Sequence, residues 1–233
     1  DADRALILAG VSHDLRTPLA RLRLGVEMSG APDSEVAAMV ADVEEMDRII
    51  GQFLDFGRGE PQEPMEALDL SHFVRDLVEP YRLRGIDIRV DLPETLIVRA
   101  RSLSLRRSLA NLIDNAIRYA GEDRPIDVNV RSRAGMAAIE LADRGPGIPE
   151  SEMDRMRHPF TRLEAARSNT KGAGLGLAIV DRVVRSHGGR LDLAPRAGGG
   201  LLAVLHLPLD ASRAGTQKTA AQKAIPQQDA RPE

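Results

Sequence analysis

Near its start, the sequence places a histidine, a carboxylate and a hydroxyl on one short stretch that is predicted to be helical. Residues 11–19 read Val-Ser-His-Asp-Leu-Arg-Thr-Pro-Leu. At about 100° per residue, Thr17 lies about 40° round the helix from His13, so these side chains share one face. The imidazole is expected to face solvent, within reach of a large partner, because the opposite side carries an apolar stripe of Leu15, Leu19, Leu22 and Val26.

The neighbours of His13 are suited to assist nucleophilic chemistry. An unperturbed imidazole has a pKa of about 6.5, so much of it is neutral at pH 7 and free to attack. Asp14, accepting a hydrogen bond from Nδ1–H, would leave Nε2 exposed and stabilise positive charge on the ring. Pro18 lacks the amide that would bond to the Asp14 carbonyl, so the helix should bend here. The alternative is an ordinary solvated histidine, and this segment alone leaves both open.

Composition limits the classes of protein to consider. A chain of 233 residues with 42% hydrophobic and 29% charged residues is typical of one or two globular domains. The net charge of −3 argues against binding of nucleic acid by bulk electrostatics. The absence of cysteine excludes disulfides and thiolate metal sites. No apolar run approaches the ~18 residues of a membrane span. Because the helical pattern begins almost at Asp1, we expect the sequence to be a fragment.

The first part of the chain has the pattern of two amphipathic helices. One runs from about Asp3 to Ser29, and a turn at 30–33 separates it from a second, which Ser34 is expected to cap. Two such helices bury too little surface to be stable alone, so a homodimeric four-helix bundle is expected. A segment at 57–64, rich in Gly, Pro and Glu, is predicted to be a linker. The second helix is apolar at Val36, Met39, Val43, Met46, Ile50 and Phe53.

Beyond this linker the pattern changes to mixed α and β. The segment from Pro146 to about Lys171 is polar, irregular and much longer than an ordinary connection. From about Ala211 the chain has almost nothing to bury and is expected to be disordered. Helices are predicted from Ser71, as N-cap, to about Arg84, at 102–120 and at 175–187. Strands are predicted at 66–70, 86–92, 96–100, 126–133, 136–143, 190–194 and 201–207.

The long helix at 102–120 carries polar residues at helical spacing. Asn111 and Asn115 are four residues apart and share a face, with Arg118 and Tyr119 one turn further along. An asparagine oxygen near a triphosphate could ligate Mg²⁺, and Arg118 could meet phosphate oxygens. The alternative is a set of ordinary polar positions on an amphipathic helix, which would be favoured if this motif stood alone.

Two glycine-containing motifs follow. Asp143 ends a predicted strand and precedes Gly145 and Gly147, so its carboxylate could accept a hydrogen bond from an exocyclic amine while the glycines admit a planar ligand; an ordinary turn is the alternative. Residues 172–177 read Gly-Ala-Gly-Leu-Gly-Leu and precede a helix whose amides could cradle phosphates. This loop is neither a Walker A loop nor a dinucleotide fingerprint, and the signatures of protein kinases are absent.

Taken in order, five motifs resemble those of the bacterial two-component sensor histidine kinases. They read His-Asp-Leu-Arg-Thr-Pro, Asn-Leu-Ile-Asp-Asn, Asp-Arg-Gly-Pro-Gly, His-Pro-Phe and Gly-Ala-Gly-Leu-Gly-Leu, and they look like the H, N, G1, F and G2 boxes. The resemblance covers roughly residues 3 to 208. The region 9–23, together with Asn-Ala-Ile-Arg-Tyr at 115–119, looks most like the EnvZ-type osmosensing kinases.

The resemblance implies an α + α/β fold. Residues 1–60 would be a dimerisation and histidine-phosphotransfer hairpin and 61–65 a linker. Residues 66–210 would be an ATP-binding α/β sandwich of the gyrase, heat-shock, histidine-kinase and mismatch-repair type, and 211–233 a disordered tail.

By position, the resemblance also implies roles for single residues. His13 would be the phosphoacceptor, Asp14 its base or orienter, and Thr17 would place water for phosphatase chemistry. Asn115 would also serve Mg²⁺, Tyr119 is expected to pack against adenine, and Phe160 to anchor a mobile lid at 148–171. The expected ATP-binding residues are Asn111, Asn115, Arg118, Tyr119, Asp143, Gly145, Gly147, Ile148, Phe160, Arg162, Gly172, Gly174, Leu175, Gly176 and Leu177.

The function implied is ATP-dependent autophosphorylation of His13, transfer to an aspartate of an OmpR-like response regulator, and dephosphorylation of that regulator. The full-length protein would be anchored to the membrane, with this part on the cytoplasmic side of the bacterial inner membrane. One alternative is a scaffold or pure phosphatase that lost ATP turnover, which should lack an asparagine-box or adenine-binding residue, yet all are intact. An ATPase or chaperone that shares only the nucleotide domain leaves the His13 hairpin unexplained.

Overall fold

The computed structural model of the protein describes residue 15 and residues 17–57, 63–163 and 173–210. Helix α1 covers 17–27 and helix α2 covers Asp33–Gly57. An exposed ion pair between Arg23 and Glu44, with an N–O distance of 3.1 Å, joins the two helices. The helical hairpin expected from the sequence is therefore present in the described part of the chain, while His13 and Asp14 lie outside it.

Helix α2 begins earlier than the sequence pattern indicated. The Pro32 carbonyl accepts hydrogen bonds from the amides of Glu35 (2.8 Å) and Val36 (3.1 Å). The first turn is thus closed from Pro32, ahead of Ser34, because a proline carbonyl can accept helical bonds although its nitrogen cannot donate. The N-cap predicted at Ser34 is wrong.

The apolar stripes of the hairpin are only partly covered within one chain. Leu19 is 8% exposed, whereas Leu22, Met46 and Phe53 are 55%, 50% and 48% exposed. Apolar surface left in water costs about 25 cal/mol per Å² relative to burial. One hairpin therefore retains a large apolar surface that a second copy could cover.

The remainder of the described chain forms a layer of strands covered by helices. The helices are α3 (Leu70–Leu83), α4 (Ser102–Ala120) and α5 (Gly176–Ser186). The strands are β1 (Glu66–Asp69), β2 (Ile88–Asp91), β3 (Ile97–Ala100), β4 (Ile126–Arg133), β5 (Met136–Ala142), β6 (Arg190–Pro195) and β7 (Leu201–Pro208). The main sheet has the order β2-β4-β5-β7-β6, and β1 pairs with β3 in a small antiparallel sheet.

The core lies between the sheet and the helices, as the two periodicities require. In α4, buried Leu105, Leu109 and Leu112 recur every three or four residues, so they share one face. In β4, buried Ile126 and Val128 alternate with half-buried positions, so one side of the strand meets the helices. This packing fixes α4 over the sheet, with its polar residues directed to one edge of the core.

The β4–β5 hairpin predicted around Gly135 is confirmed. Arg133 pairs with Met136 across a two-residue turn. Both turn residues have positive φ, 51° at Ala134 and 76° at Gly135, which is the conformation that a tight hairpin with right-handed strand twist needs. The hairpin places the end of β5, and hence Asp143, at the edge of the sheet.

The start of α3 differs from its prediction. The N-cap is Asp69, not Ser71, because the Asp69 carboxylate accepts hydrogen bonds from the amides of Ser71 (3.0 Å) and Leu96 (3.1 Å). Because the Asp69 carboxylate bonds two amides at once, it holds the start of α3 against the loop that precedes β3. The local sequence pattern did not reveal this long-range contact.

Glu63 lies in the predicted linker and caps a distant helix. Its carboxylate accepts hydrogen bonds from the amides of Leu103 (2.8 Å) and Ser104 (3.2 Å), at the start of α4. The residue at the N-cap position, Arg101, makes no side-chain cap of its own, so Glu63 satisfies amides that would otherwise lack a partner in the helix. The chain that enters the α/β unit is thereby fixed to α4.

The segment predicted to be irregular, from Pro146 onward, is partly regular. Two 3₁₀ turns, Glu150–Glu152 and Arg155–Arg157, flank Met153, which is 5% exposed. The apolar side chain of Met153 packs into the core and holds this part of the segment against the domain. The later part of the segment, Gly172 and the tail predicted at 211–233 lie outside the described residues. Among the described helices, none has the length and hydropathy that crossing a bilayer requires.

Candidate functional site

A cavity of about 970 Å³ opens beside helix α4. Its walls come from α2, α4, the segment after β5 and the start of α5. The volume lies at the upper end of the range usual for pockets that bind cofactors or other small molecules. The expected ATP-binding residues that line it are Asn115, Arg118, Tyr119, Asp143, Gly147, Ile148, Arg162, Gly174, Gly176 and Leu177.

Asp143 is held rigidly at one end of the cavity. It is 7% exposed, and its Oδ1 accepts hydrogen bonds from the amides of Gly145 (2.8 Å) and Leu201 (3.1 Å). Its own amide donates to the Leu201 carbonyl at 3.0 Å. No residue that the structure describes donates a hydrogen bond to Oδ2, so this oxygen can accept one from an amine in the cavity.

Glycines allow the backbone to close round Asp143. A Cβ on Gly200, where φ is +107°, would lie 2.1 Å from the Asp143 carbonyl oxygen, which no side chain tolerates. A Cβ on Gly147 would lie 3.0 Å from the Gly200 carbonyl oxygen. Sequence reasoning identified Gly147 but missed Gly200, although the Gly-Gly-Gly run at 198–200 was a signal of unusual backbone.

Another part of the cavity wall joins α4 to the start of α5. A Cβ on Gly176 would lie 3.0 Å from Nδ2 of Asn115, so the glycine lets the two helices meet there. A Cβ on Gly174, where φ is +70°, would lie 2.6 Å from the Thr161 carbonyl oxygen. The backbone amides at the N-terminus of α5 and the side-chain amide of Asn115 therefore line one region. The backbone N–H groups suit an anion, and the side-chain oxygen of Asn115 suits the cation that accompanies it.

Several expected residues lie elsewhere. Among the described residues, the cavity wall does not include Asn111, Gly145, Phe160 or Leu175. Oδ1 of Asn111 accepts a hydrogen bond from Gln52. The amide of Gly145 donates a hydrogen bond to the Asp143 carboxylate, and Leu175 is fully buried in the core. The Phe160 ring is 61% exposed, and its backbone has a φ of 61°. Thr17 is exposed on α1, on the hairpin and not at the cavity.

Helix α2 supplies a wall that sequence reasoning missed. Arg48 and Gln52 line the cavity, and Nε2 of Gln52 donates to Oδ1 of Asn111 at 3.3 Å. One turn before Arg48 on the same face, Glu45 lies 3.5 Å from Arg118 of α4. The only signal in the sequence was the i, i+3, i+7 spacing of these polar residues, which equally suits a solvated helix face.

Burial and like charge both act on Arg118. Burial lowers its pKa, the neighbouring Arg48 guanidinium lowers it further, and Glu45 opposes both effects. The site thus combines a fixed carboxylate at Asp143, helix N-terminal amides and two guanidinium groups beside one carboxylate.

Comparisons with known proteins agree with this arrangement. The protein-family model described as His Kinase A (phospho-acceptor) domain matches residues 3–62. A second family model, described as Histidine kinase-, DNA gyrase B-, and HSP90-like ATPase, matches residues 100–211. The fold and the site therefore define an ATPase domain of this type joined to a phospho-acceptor hairpin.

Individual relatives identify the family. The sensor-like histidine kinase SenX3 of Mycolicibacterium smegmatis is 30% identical over 223 residues, covering 89% of this chain and 58% of that protein. The histidine-protein kinase/phosphatase MprB of a Mycobacterium species is 34% identical over 213 residues, covering 84% of this chain and 41% of that protein. This chain thus spans about half the length of these curated relatives.

A solved structure supports the same assignment. The histidine kinase domain of the E. coli osmosensor EnvZ is 34% identical, with a TM-score of 0.52 over 67% of this chain and 95% of that domain. The chain belongs to the sensor histidine kinases of the EnvZ type. The resemblance and the fold class inferred from the motifs are both confirmed.

Proposed function

We propose that this protein is an ATP-dependent histidine kinase that phosphorylates its own His13 and passes the phosphoryl group to an aspartate of a response regulator. The observation that carries the proposal is the cavity in which Asp143, Asn115 and the start of α5 converge. The same chain matches a phospho-acceptor hairpin at 3–62.

ATP fits the chemistry of the cavity. Oδ2 of Asp143 can accept the adenine amine, and Tyr119 lines the same cavity and can cover the base. The N-terminal amides of α5 and the guanidinium of Arg118 provide donors and positive charge for phosphates. The cavity wall thus offers an acceptor for the amine of the base and donors for the phosphates.

Mg²⁺ also fits the donors present. It prefers oxygen ligands and is usually held by few protein groups together with substrate phosphates. Asn115 offers an amide oxygen at the cavity, and among the described residues no group of three or more His, Cys, Asp or Glu could hold a metal by itself. We infer that Asn115 would hold the ion, which would neutralise phosphate charge.

The proposed reaction is an in-line transfer. Nε2 of His13 attacks the γ-phosphorus of ATP, a P–N bond forms, and the bond to the bridging oxygen of the departing ADP breaks. Asp14 stabilises the positive charge that develops on the ring and accepts the Nδ1 proton. A carboxylate oxygen of the regulator then attacks the same phosphorus, the P–N bond breaks, and Nδ1 takes its proton back from Asp14 so that the histidine leaves as a neutral imidazole.

A phosphatase activity on the regulator is the second part of the proposal. The relative MprB is named as both a histidine-protein kinase and a phosphatase. Thr17 is exposed on α1, where its hydroxyl can hold a water beside an acyl phosphate docked over His13.

The proposed assembly is a homodimer that works with an OmpR-like receiver domain. The half-exposed Leu22, Met46 and Phe53 support pairing of two hairpins. The family resemblance supports anchoring of the full-length protein through further segments, with these residues on the cytoplasmic side of the inner membrane.

Labelling with γ-phosphate-labelled ATP tests the kinase proposal. Acid-labile, base-stable label on the wild-type protein is expected, because a phosphohistidine P–N bond hydrolyses in acid and survives in base. The His13→Ala variant should carry no label while it still binds ATP. Label of near-normal amount on His13→Ala, or no label on the wild-type protein, would contradict the proposal.

A further inference from the structure

Helix α2 of the hairpin crosses helix α4 along the cavity. Gln52 meets Asn111 at 3.3 Å, and Glu45 meets Arg118 at 3.5 Å, so the helices run antiparallel. Arg48 lies on the same face of α2, between Glu45 and Gln52. It therefore faces the part of α4 between Asn111 and Arg118, which contains Asn115.

Two guanidinium groups share one carboxylate at this crossing. Nε of Arg48 donates to Oε2 of Glu45 at 2.8 Å, and Nη2 of Arg118 lies 3.5 Å from the same oxygen. The side chains of Arg48 and Arg118 are only 27% and 20% exposed, so water screens their repulsion poorly. An anion in the cavity would relieve this repulsion.

Further charged groups lie at this crossing in the described part of the chain. Asp114 interacts with both arginines, but its Oδ1 also accepts a hydrogen bond from the Tyr81 hydroxyl at 3.0 Å. Arg84 adds a further positive charge near Asp114. Among the side chains that the structure describes here, the two carboxylates Glu45 and Asp114 thus face three guanidinium groups.

We propose that Arg48 is a nucleotide-binding residue, contributed by the hairpin, that contacts the terminal phosphate of ATP. This inference rests on the proposed function, because it needs ATP in the cavity. Asp143 and the start of α5 provide for the base and the inner phosphates from the α/β unit. The outermost phosphate is then left for the part of the cavity wall that α2 contributes, which contains Arg48. The planar guanidinium group of an arginine matches the geometry of phosphate oxygens.

The proposal makes Glu45 a competitor of the nucleotide. In the structure, Glu45 holds Arg48 through two hydrogen bonds, Nε to Oε2 at 2.8 Å and Nη2 to Oε1 at 2.5 Å. When ATP binds, Arg48 would exchange the carboxylate for phosphate oxygens, so ATP would hold α2 against α4 more firmly than ADP does. The rival view is that Arg48 and Glu45 only join the two helices, in which case loss of either should weaken binding of both nucleotides.

Calorimetric titration of the whole chain with ADP and with the β,γ-imido analogue of ATP, in Mg²⁺, distinguishes these views. Arg48→Ala should bind the analogue about tenfold or more weakly, the usual scale for a hydrogen bond to a charged group, and ADP within about twofold of wild type. Arg48→Lys should recover part of the loss. Glu45→Gln should bind the analogue more tightly than wild type, because the competing charge is gone.

Arg23→Ala is the matched control. It also removes a hairpin arginine that pairs with a glutamate of α2, Glu44, but Arg23 is outside the cavity wall formed by the described residues. It should bind both nucleotides as the wild type does.

Each outcome decides the proposal. Equal loss of ADP and analogue binding in Arg48→Ala, no loss at all, or weaker analogue binding in Glu45→Gln would overturn it. If Arg48→Ala proves unfolded by circular dichroism, Glu45→Gln decides alone, since only competition predicts tighter binding. Failure of the wild type to form phosphohistidine would refute the kinase proposal, whereas labelled wild type with unchanged Arg48→Ala binding refutes only this inference.

Discussion

Under the proposed function, single residues at the cavity and on the hairpin have separable tasks. Asp143 uses one oxygen to hold the backbone of Gly145 and Leu201 and keeps the other directed to the cavity. Thr17 stands apart from the cavity on the exposed surface of α1. A change at either residue should therefore affect one step and spare the others.

Asp143→Asn should weaken ATP binding by about 10- to 100-fold with little change in folding. The asparagine oxygen can still accept from the two amides, but its NH₂ group would then face the adenine amine, and a bond to a charged acceptor is lost. Calorimetric titration with ATP measures the affinity, and a thermal melt checks the fold. ATP affinity equal to that of wild type would exclude Asp143 as the adenine acceptor.

Thr17→Ala should lower phosphatase activity by about 10²-fold while autophosphorylation and phosphotransfer stay within a few-fold. Dephosphorylation needs an aligned water, which a hydroxyl holds and a methyl does not. Thr17→Ser, which keeps the hydroxyl, is the control and should retain most phosphatase activity. If kinase and phosphatase activities fall together, Thr17 serves the Pro18 bend and not the water.

At the scale of elements, the site depends on how the starts of two helices are fixed. The start of α4 is capped by Glu63 from a distant part of the chain. The start of α5 is fixed by close backbone contact between Gly174 and Thr161. Thr161 and Gly174 line the cavity, so their contact can be tested through nucleotide binding, whereas the Glu63 cap can be tested through stability.

Glu63→Gln should destabilise the α/β unit at neutral pH by about 1 kcal/mol, the usual value of a helix cap. Burial would raise the pKa of Glu63, but hydrogen bonds from the Leu103 and Ser104 amides and from the Ser102 and Ser104 hydroxyls outweigh it and hold the pKa below its ordinary value. The stabilisation from the Glu63 cap is therefore complete at pH values above the pKa that Glu63 has in the unfolded chain. It is lost as the pH falls through the lower pKa that Glu63 has in the folded protein.

Urea unfolding of wild type and Glu63→Gln at pH 7 and near pH 3 measures this effect. The difference between the two proteins should shrink at the lower pH, where the wild-type carboxylate is more protonated. Glu94→Gln, which changes an exposed carboxylate outside any helix, is the control and should show no such difference. A difference that is the same at both pH values would contradict a charged cap.

Gly174→Ala should reduce ATP affinity by about tenfold or more, because a Cβ 2.6 Å from the Thr161 carbonyl at a φ of +70° must push that backbone away from α5. Gly25→Ala is the control, since a Cβ there meets nothing within 4 Å and lies in helix α1. Nucleotide titration of both variants should separate them. Equal affinities would show that the 161–174 contact does not shape the site.

At the scale of the whole molecule, the hairpin is incomplete as a single copy. Its exposed apolar side chains predict a dimer of about twice the 25.3 kDa chain mass by light scattering. Replacing Leu22 and Phe53 by aspartate should yield a monomer, because charge cannot be buried between the hairpins. Replacing Leu83, an 80% exposed leucine at the end of α3, is the control. A monomeric wild type at micromolar concentration would contradict the bundle.

The sequence by itself determined the local elements and many of the residues that line the cavity. Helix α4 begins at Ser102 and ends at Ala120 as predicted, because buried leucines recur at helical spacing over its length. The β4–β5 hairpin followed from alternation and one glycine, and Asp143 was found as the residue that follows β5. These features depend on neighbours within a few residues, so a local pattern records them.

Only the tertiary structure decided which distant residues share the cavity. Gln52 and Asn111 are 59 positions apart, Glu63 caps a helix about 40 positions later, and Gly200, in the turn before β7, lies against Asp143. On the sequence, Arg48 has the pattern of a solvated position, because helical spacing shows which residues share a face but not what that face meets. Side-chain contacts of α2 with α4 bring Arg48 to the cavity wall, and those contacts arise from the fold as a whole.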